Sequence, residues 1–134
     1  MMKWLILFSG LWLMASGAEY SVIVSKKVSF SALTSQQIRD IFLQKRHMIG
    51  DQKIIPINLL GQDEARSAFE STILKMDRDR LNVYWVKQHF QGVVPPLTQP
   101  SFESIKVFVQ NVEGSMGYVP SILVDNSVKV VYEF

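Results

Sequence analysis

The sequence contains no cysteine, which excludes disulfide stapling, thiol catalysis and every cysteine-ligated metal site. It also lacks a surplus of one charge: 14 Lys and Arg stand against 12 Asp and Glu, for a formal net charge of +2. No basic run is longer than a pair such as Lys26-Lys27. Such a surface cannot neutralise a row of phosphates, so nucleic acid is not an expected partner. Histidine is scarce, and His47 and His89 lie far apart and outside any catalytic signature. A nucleophile needs an adjacent base and a zinc site needs closely spaced ligands, so neither chemistry is indicated. The phosphate-cradling patterns Gly-x-x-x-x-Gly-Lys and Gly-x-Gly-x-x-Gly are missing too. The expectation is a protein without enzymatic activity, metal or cofactor. What the chain does have is 48% hydrophobic and 19% charged residues over 134 positions, enough for one ordinary domain with its own core.

The N-terminus reads differently from the rest. Met1 to Lys3 make a short basic start, Trp4 to Met14 are apolar except for Ser9 and Gly10, and Ala15-Ser16-Gly17-Ala18 are all small. The apolar run falls short of the roughly 20 residues a spanning helix needs. It fits the roughly 7–15 of a secretory core region followed by a small-residue cleavage site. Residues 1–18 are therefore expected to be a signal peptide cut after Ala18, with residues 19–134 forming an exported domain. No cysteine follows the apolar run, so a lipoprotein anchor is excluded.

Beyond it, β-branched Tyr20–Val24 predicts a first strand. Thr34 and Gln37 form a capping-box pattern with Leu33 as hydrophobic staple, predicting a helix whose Ile38, Ile41 and Phe42 face inward. Lys53–Ile57 predicts a second strand, with Pro56 at its end or on an edge. Leu60–Asp63 turns into a helix capped by Gln62 or Asp63, carrying the stripe Ala65, Phe69, Ile73 and Met76 and finishing near Lys75. Asp77 caps a further helix in which Leu81, Tyr84, Trp85 and Gln88 share a side; core packing is the expected role of Tyr84, Trp85 and Phe90, with a binding platform as the alternative. Ser101 caps a helix with the stripe Phe102, Ile105, Val109 and Val112. Gly114–Gly117 reads as a turn, and Val128–Phe134 as a final strand with Val128, Val130 and Tyr132 on one face and Lys129, Val131 and Glu133 on the wet one. Strands separated by helices indicate an α/β domain: a small mixed sheet flanked by helices.

Taken together, Ile38-Arg-Asp-Ile-Phe-Leu-Gln-Lys45, Ile55-Pro-Ile-Asn58, Phe69, Tyr84-Trp85, Gly92, Pro95-Pro96 and Glu113-Gly-Ser-Met-Gly-Tyr-Val119 resemble short relatives of the phosphate-binding protein of the phosphate ABC transporter, a type II periplasmic binding protein. Gln44 and Glu113 stand where the family usually has glycine and proline. The resemblance implies a single lobe of a two-lobed clamshell, a phosphate-type anion as ligand, and an ABC transporter or envelope protein as partner.

In full-length members an arginine and a Gly-Ser-Gly-Thr turn at a helix start hold the phosphate. The matching positions here make Asn58, Gly61, Gln62, Asp63 and Arg66 the candidate ligand-binding residues. Asn58 replaces the arginine, Gly61 matches the turn glycine, and Gln62 takes the first hydroxyl position. Unpaired N–H groups and the helix dipole attract an anion at a helix start. Asp63 and Glu64 in the first turn oppose that attraction, and Arg66 is positioned either to reach over the turn or to pair with Glu70 four residues on. Anion binding is thus expected to be weak. The rival expectation is an envelope module that keeps the lobe for protein contacts, including a homodimer formed through the exposed edge of the last strand.

Overall fold

The computed structural model describes residues 18–134; the expected signal peptide lies, but for Ala18, outside the described residues. A five-stranded mixed sheet forms the centre, built from β1 (Tyr20–Ser25), β4 (Ile55–Leu59), β5 (Leu97–Gln99), β6 (Ser115–Pro120) and β7 (Val128–Glu133) in the order β5-β4-β6-β1-β7. β4 runs parallel to β5 and β6, while β1 runs antiparallel to β6 and β7. A two-stranded hairpin, β2 (Met48–Ile49) with β3 (Gln52–Lys53), turns at Gly50 before β4. The helices are α1 (Ser35–Phe42), α2 (Glu64–Phe69), α3 (Arg78–His89) and α4 (Phe102–Asn111), and α2 runs directly into a wider π-helical turn over Glu70–Leu74.

Strand alternation sends opposite sides of β6 to different helices. Tyr118 stacks on Phe69 of α2 at 4.2 Å between ring centroids, with Phe42 of α1 edge-on to Phe69 at 4.7 Å. On the other face, α4 lies so close that a Cβ on Gly117 would sit 2.5 Å from Ile105 Cγ2. Phe134 closes the aromatic group, 5.7 Å from Phe69 and 5.3 Å from Tyr20. The expected fold class, a mixed sheet flanked by helices, is what the chain adopts.

The predicted caps are formed. Thr34 accepts from the Gln37 amide at 3.1 Å while Gln37 accepts from the Thr34 amide at 2.8 Å. Asp63, Asp77 and Ser101 cap α2, α3 and α4 through their side chains.

Four expectations need correction. Gly114–Gly117 is not a turn: only Gly114, at φ +84, turns, and Ser115 already pairs with Ile55. Small residues here serve close helix-on-sheet packing. Val131 is buried, not wet, because β7 carries a bulge: Val22 pairs with Tyr132 and Ile23 with Val130, so Val131 is skipped and the alternation changes phase. The second strand starts at Ile55, and Pro56 sits near its beginning in an interior strand. Phe90 is 84% exposed, and Tyr84 and Trp85 are only half-buried against the core.

Candidate functional site

The C-terminal end of β4 leads through Leu60–Gln62 into α2, so this junction carries all five candidate residues. Gly61 adopts φ +85, a left-handed conformation with open space where a Cβ would stand. Asp63, the N-cap, turns its carboxylate back to accept from the Ala65 amide at 2.8 Å. The helix start is therefore supplied with an anion by the chain itself.

Asn58 is buried, and its Oδ1 accepts from the Tyr118 hydroxyl at 2.5 Å and from the Leu59 amide at 2.9 Å. It is a structural link between β4 and β6 more than a free ligand. Burial pushes the Tyr118 hydroxyl pKa well above its ordinary value, with the Leu59 backbone opposing the shift less strongly.

Arg66 does both things its position allowed. Its Nε donates to Glu70 Oε2 at 3.0 Å, and its Nη1 reaches back over the turn to the Leu59 carbonyl at 2.7 Å and the Gly61 carbonyl at 3.2 Å. The guanidinium thus fixes the turn from below. Glu70 is buried at 6% exposure, a position that demands charge compensation. A second cation provides it: Arg78 Nη2 lies 3.1 Å from both Glu70 oxygens and 3.2 Å from Gln62 Oε1.

Arg78 is the residue that sequence reading missed; Glu70 was expected as a partner of Arg66, and that pair is formed. The approach of Arg78 depends on the π turn and the left-handed Lys75 at φ +58, which swing the start of α3 back against Glu70. One signal was available: Arg78 occupies the first position of α3, where the helix dipole disfavours a cation unless a carboxylate holds it.

Asn58, Arg66, Glu70, Arg78, Asn82 and Trp85 line a small hollow of about 50 Å³. Two guanidiniums face one carboxylate there, and the Arg78 Nε–H is buried without an acceptor among the described residues. The site brings together Gln62 and Arg66 through Glu70 and Arg78, leaves Gly61 beside them at the turn, and holds Asn58 in the wall. Among the described residues, no group of three or more His, Asp or Glu is arranged to hold a metal ion.

No protein-family model and no curated protein matches the sequence. Solved structures do match in fold. A phosphate ABC transporter substrate-binding protein from Clostridium perfringens, determined with bound phosphate, is 24% identical with a TM-score of 0.69, covering 85% of this chain and 44% of its own. An ABC-type phosphate transport receptor from Vibrio cholerae gives 22% identity and a TM-score of 0.68, over 85% of this chain and 45% of its own. PstS from Borrelia burgdorferi gives 17% and 0.62, over 87% and 48%. The chain thus spans less than half the length of the structures it matches, and what it shares with them is the fold of a single α/β unit.

Proposed function

We propose that this is an exported, periplasmic binding domain of the phosphate-binding-protein type, non-enzymatic, which takes a phosphate-type anion weakly at the β4–α2 junction in connection with an ABC transporter. The observation that carries this reading is the uneven charge of the hollow: Arg66 and Arg78 share the single carboxylate of Glu70, and one buried N–H donor has no acceptor. The fold shared with phosphate transport proteins supports the same ligand class. Weakness follows from what already occupies the donors. Glu70 fills the two guanidiniums as an internal anion, and Asp63 takes the Ala65 amide in the first turn of α2. An incoming phosphate must compete with both carboxylates, and a like charge about 6 Å away costs about 3 kcal/mol at an effective dielectric constant of about 20.

Calorimetry of residues 19–134, which carry the sheet, the helices and the described core, tests this with phosphate and sulfate. Heat that saturates in the millimolar range and disappears in Gln62→Glu supports the reading. No heat from the wild type at tens of millimolar refutes it.

A second reading, an envelope module for protein contacts, has its own observation: α3 carries apolar side chains on its outward face as well as its inward one, with Val83, Val86 and Phe90 exposed. A dimer through β7 gains no support, because the chain itself lies along that strand. The Leu33 amide donates to the Val131 carbonyl at 3.0 Å, and Lys129 Nζ reaches the Val28 and Phe30 carbonyls at 2.8 and 3.0 Å.

A further inference from the structure

We propose that the outward face of α3 docks an acidic, amphipathic helical segment of a partner protein; this rests on the second reading above and names the surface and the partner's chemistry. A helix that is apolar on both sides is normally enclosed on both. α3 encloses only one. Leu81 is buried, Tyr84 and Trp85 pack partly on the core, and the Tyr84 hydroxyl donates to the Leu43 carbonyl at 2.6 Å. On the opposite side Val83 (55% exposed), Val86 (58%) and Phe90 (84%) follow one another at spacings of three and four, which aligns them in one stripe.

Beside the stripe, Trp85, Val86, His89, Phe90 and Pro95 surround an open, mostly apolar hollow of about 470 Å³. Gln44 Nε2 donates to the Val94 carbonyl at 3.2 Å, tying the segment that carries Pro95 to the end of α1. A concave pocket next to an apolar ridge suits an anchoring side chain projecting from a helix, the arrangement found at interface hot spots. A flat bilayer would leave the hollow unfilled.

Charge selects the partner. Arg80 and Lys87 flank the stripe on one side, and beyond them Lys45 lies 5.9 Å from the Tyr84 ring centre with Arg46 next to it. All four are exposed and none forms an ion pair with a carboxylate among the described residues, where the paired cations are Arg66, Arg78 and Lys106. Asp79, in the first turn, is the only acidic residue of α3. A second copy of this face would oppose Arg80 and Lys87 with their own counterparts, so a symmetric self-contact is disfavoured. Glutamates or aspartates bordering the partner's apolar stripe are favoured instead, and complementary charges fix its orientation.

The test uses residues 19–134 and two synthetic amphipathic helices with leucines along one face, one flanked by glutamates and the other by lysines. The Trp85 indole N–H resonance reports binding. The acidic peptide is expected to bind with a Kd of about 10–100 µM, at least about tenfold more tightly than the basic one. Phe90→Ala and Lys87→Glu should each weaken it by about tenfold, and both side chains are exposed, so circular dichroism should confirm an unchanged fold. Equal binding of the two peptides, or no shift with either, overturns the proposal. If in that case anionic phosphatidylglycerol vesicles or concentration-dependent self-association respond to Phe90→Ala, the interaction reading stands with another occupant. If nothing responds to Phe90→Ala, both fall.

Discussion

At the scale of single residues, the buried carboxylate of Glu70 governs the candidate site. Two guanidiniums and Gln62 are organised around it. Replacing it with glutamine leaves both cations without a counter-charge, and since Arg66 and Arg78 are partly solvated the cost is set at about 1–3 kcal/mol. Chemical denaturation of Glu70→Gln should show that loss. Tyr118 makes a second prediction. Its hydroxyl pKa is raised by burial, so between the unfolded and folded values the unfolded state binds one proton fewer and stability falls as pH rises. The contribution of Tyr118 should be level well below about pH 10 and then decline with a slope that approaches about 1.4 kcal/mol per pH unit. Tyr118→Phe should reduce that alkaline slope, leaving the smaller part that Tyr20 and Tyr84, also raised by burial, contribute, while costing about 1 kcal/mol at neutral pH because Asn58 loses its hydroxyl partner. Denaturation midpoints measured from pH 7 to pH 11 on both proteins check this, and an unchanged slope in Tyr118→Phe would contradict it. The Arg66–Glu70 pair was readable from a four-residue spacing, whereas Arg78 was not, since its approach to Glu70 depends on a π turn and a left-handed lysine that no spacing rule encodes.

At the scale of elements, the helices were legible wherever a cap and an apolar stripe coincided. Thr34 with Gln37, and Ser101 ahead of Ile105 and Val109, place the starts of α1 and α4 to the residue. Strands were harder to read. β6 was hidden behind Gly114 and Gly117, which suggest a turn but perform different tasks. Gly114 provides a positive φ where a Cβ would lie 2.3 Å from the Lys53 carbonyl oxygen, and Gly117 lets α4 approach the sheet. Gly114→Ala combines backbone strain with a clash against main chain, and a loss of about 2 kcal/mol or more is expected in thermal or urea unfolding. The phase of β7 was equally hidden, because a bulge at Val131 leaves no mark in an alternating pattern of valines. The inner face of α3 was legible from the spacing of Leu81, Tyr84 and Trp85, but Phe90 was grouped with the aromatics although it follows a different face of the helix. Phe90 turned out to be on the outer one.

At the scale of the whole molecule, a single α/β unit, which shares its fold with less than half of each matched structure, presents the β4–α2 junction and the α3 face as two separate surfaces. The resemblance read from Ile38 to Val119 extends to fold, and it covers less than half of each matched structure. In the proposed anion site the donors of the turn and of the two guanidiniums are met from within by Asp63 and Glu70. The account therefore turns on competition between an internal and an external anion. Titrating phosphate into wild-type and Glu70→Gln protein, side by side in a calorimeter, tests that competition most directly. The prediction is millimolar binding by the wild type and a Kd at least about tenfold lower once the carboxylate is gone. Equal affinities in a folded Glu70→Gln variant, or silence from both proteins, would contradict it.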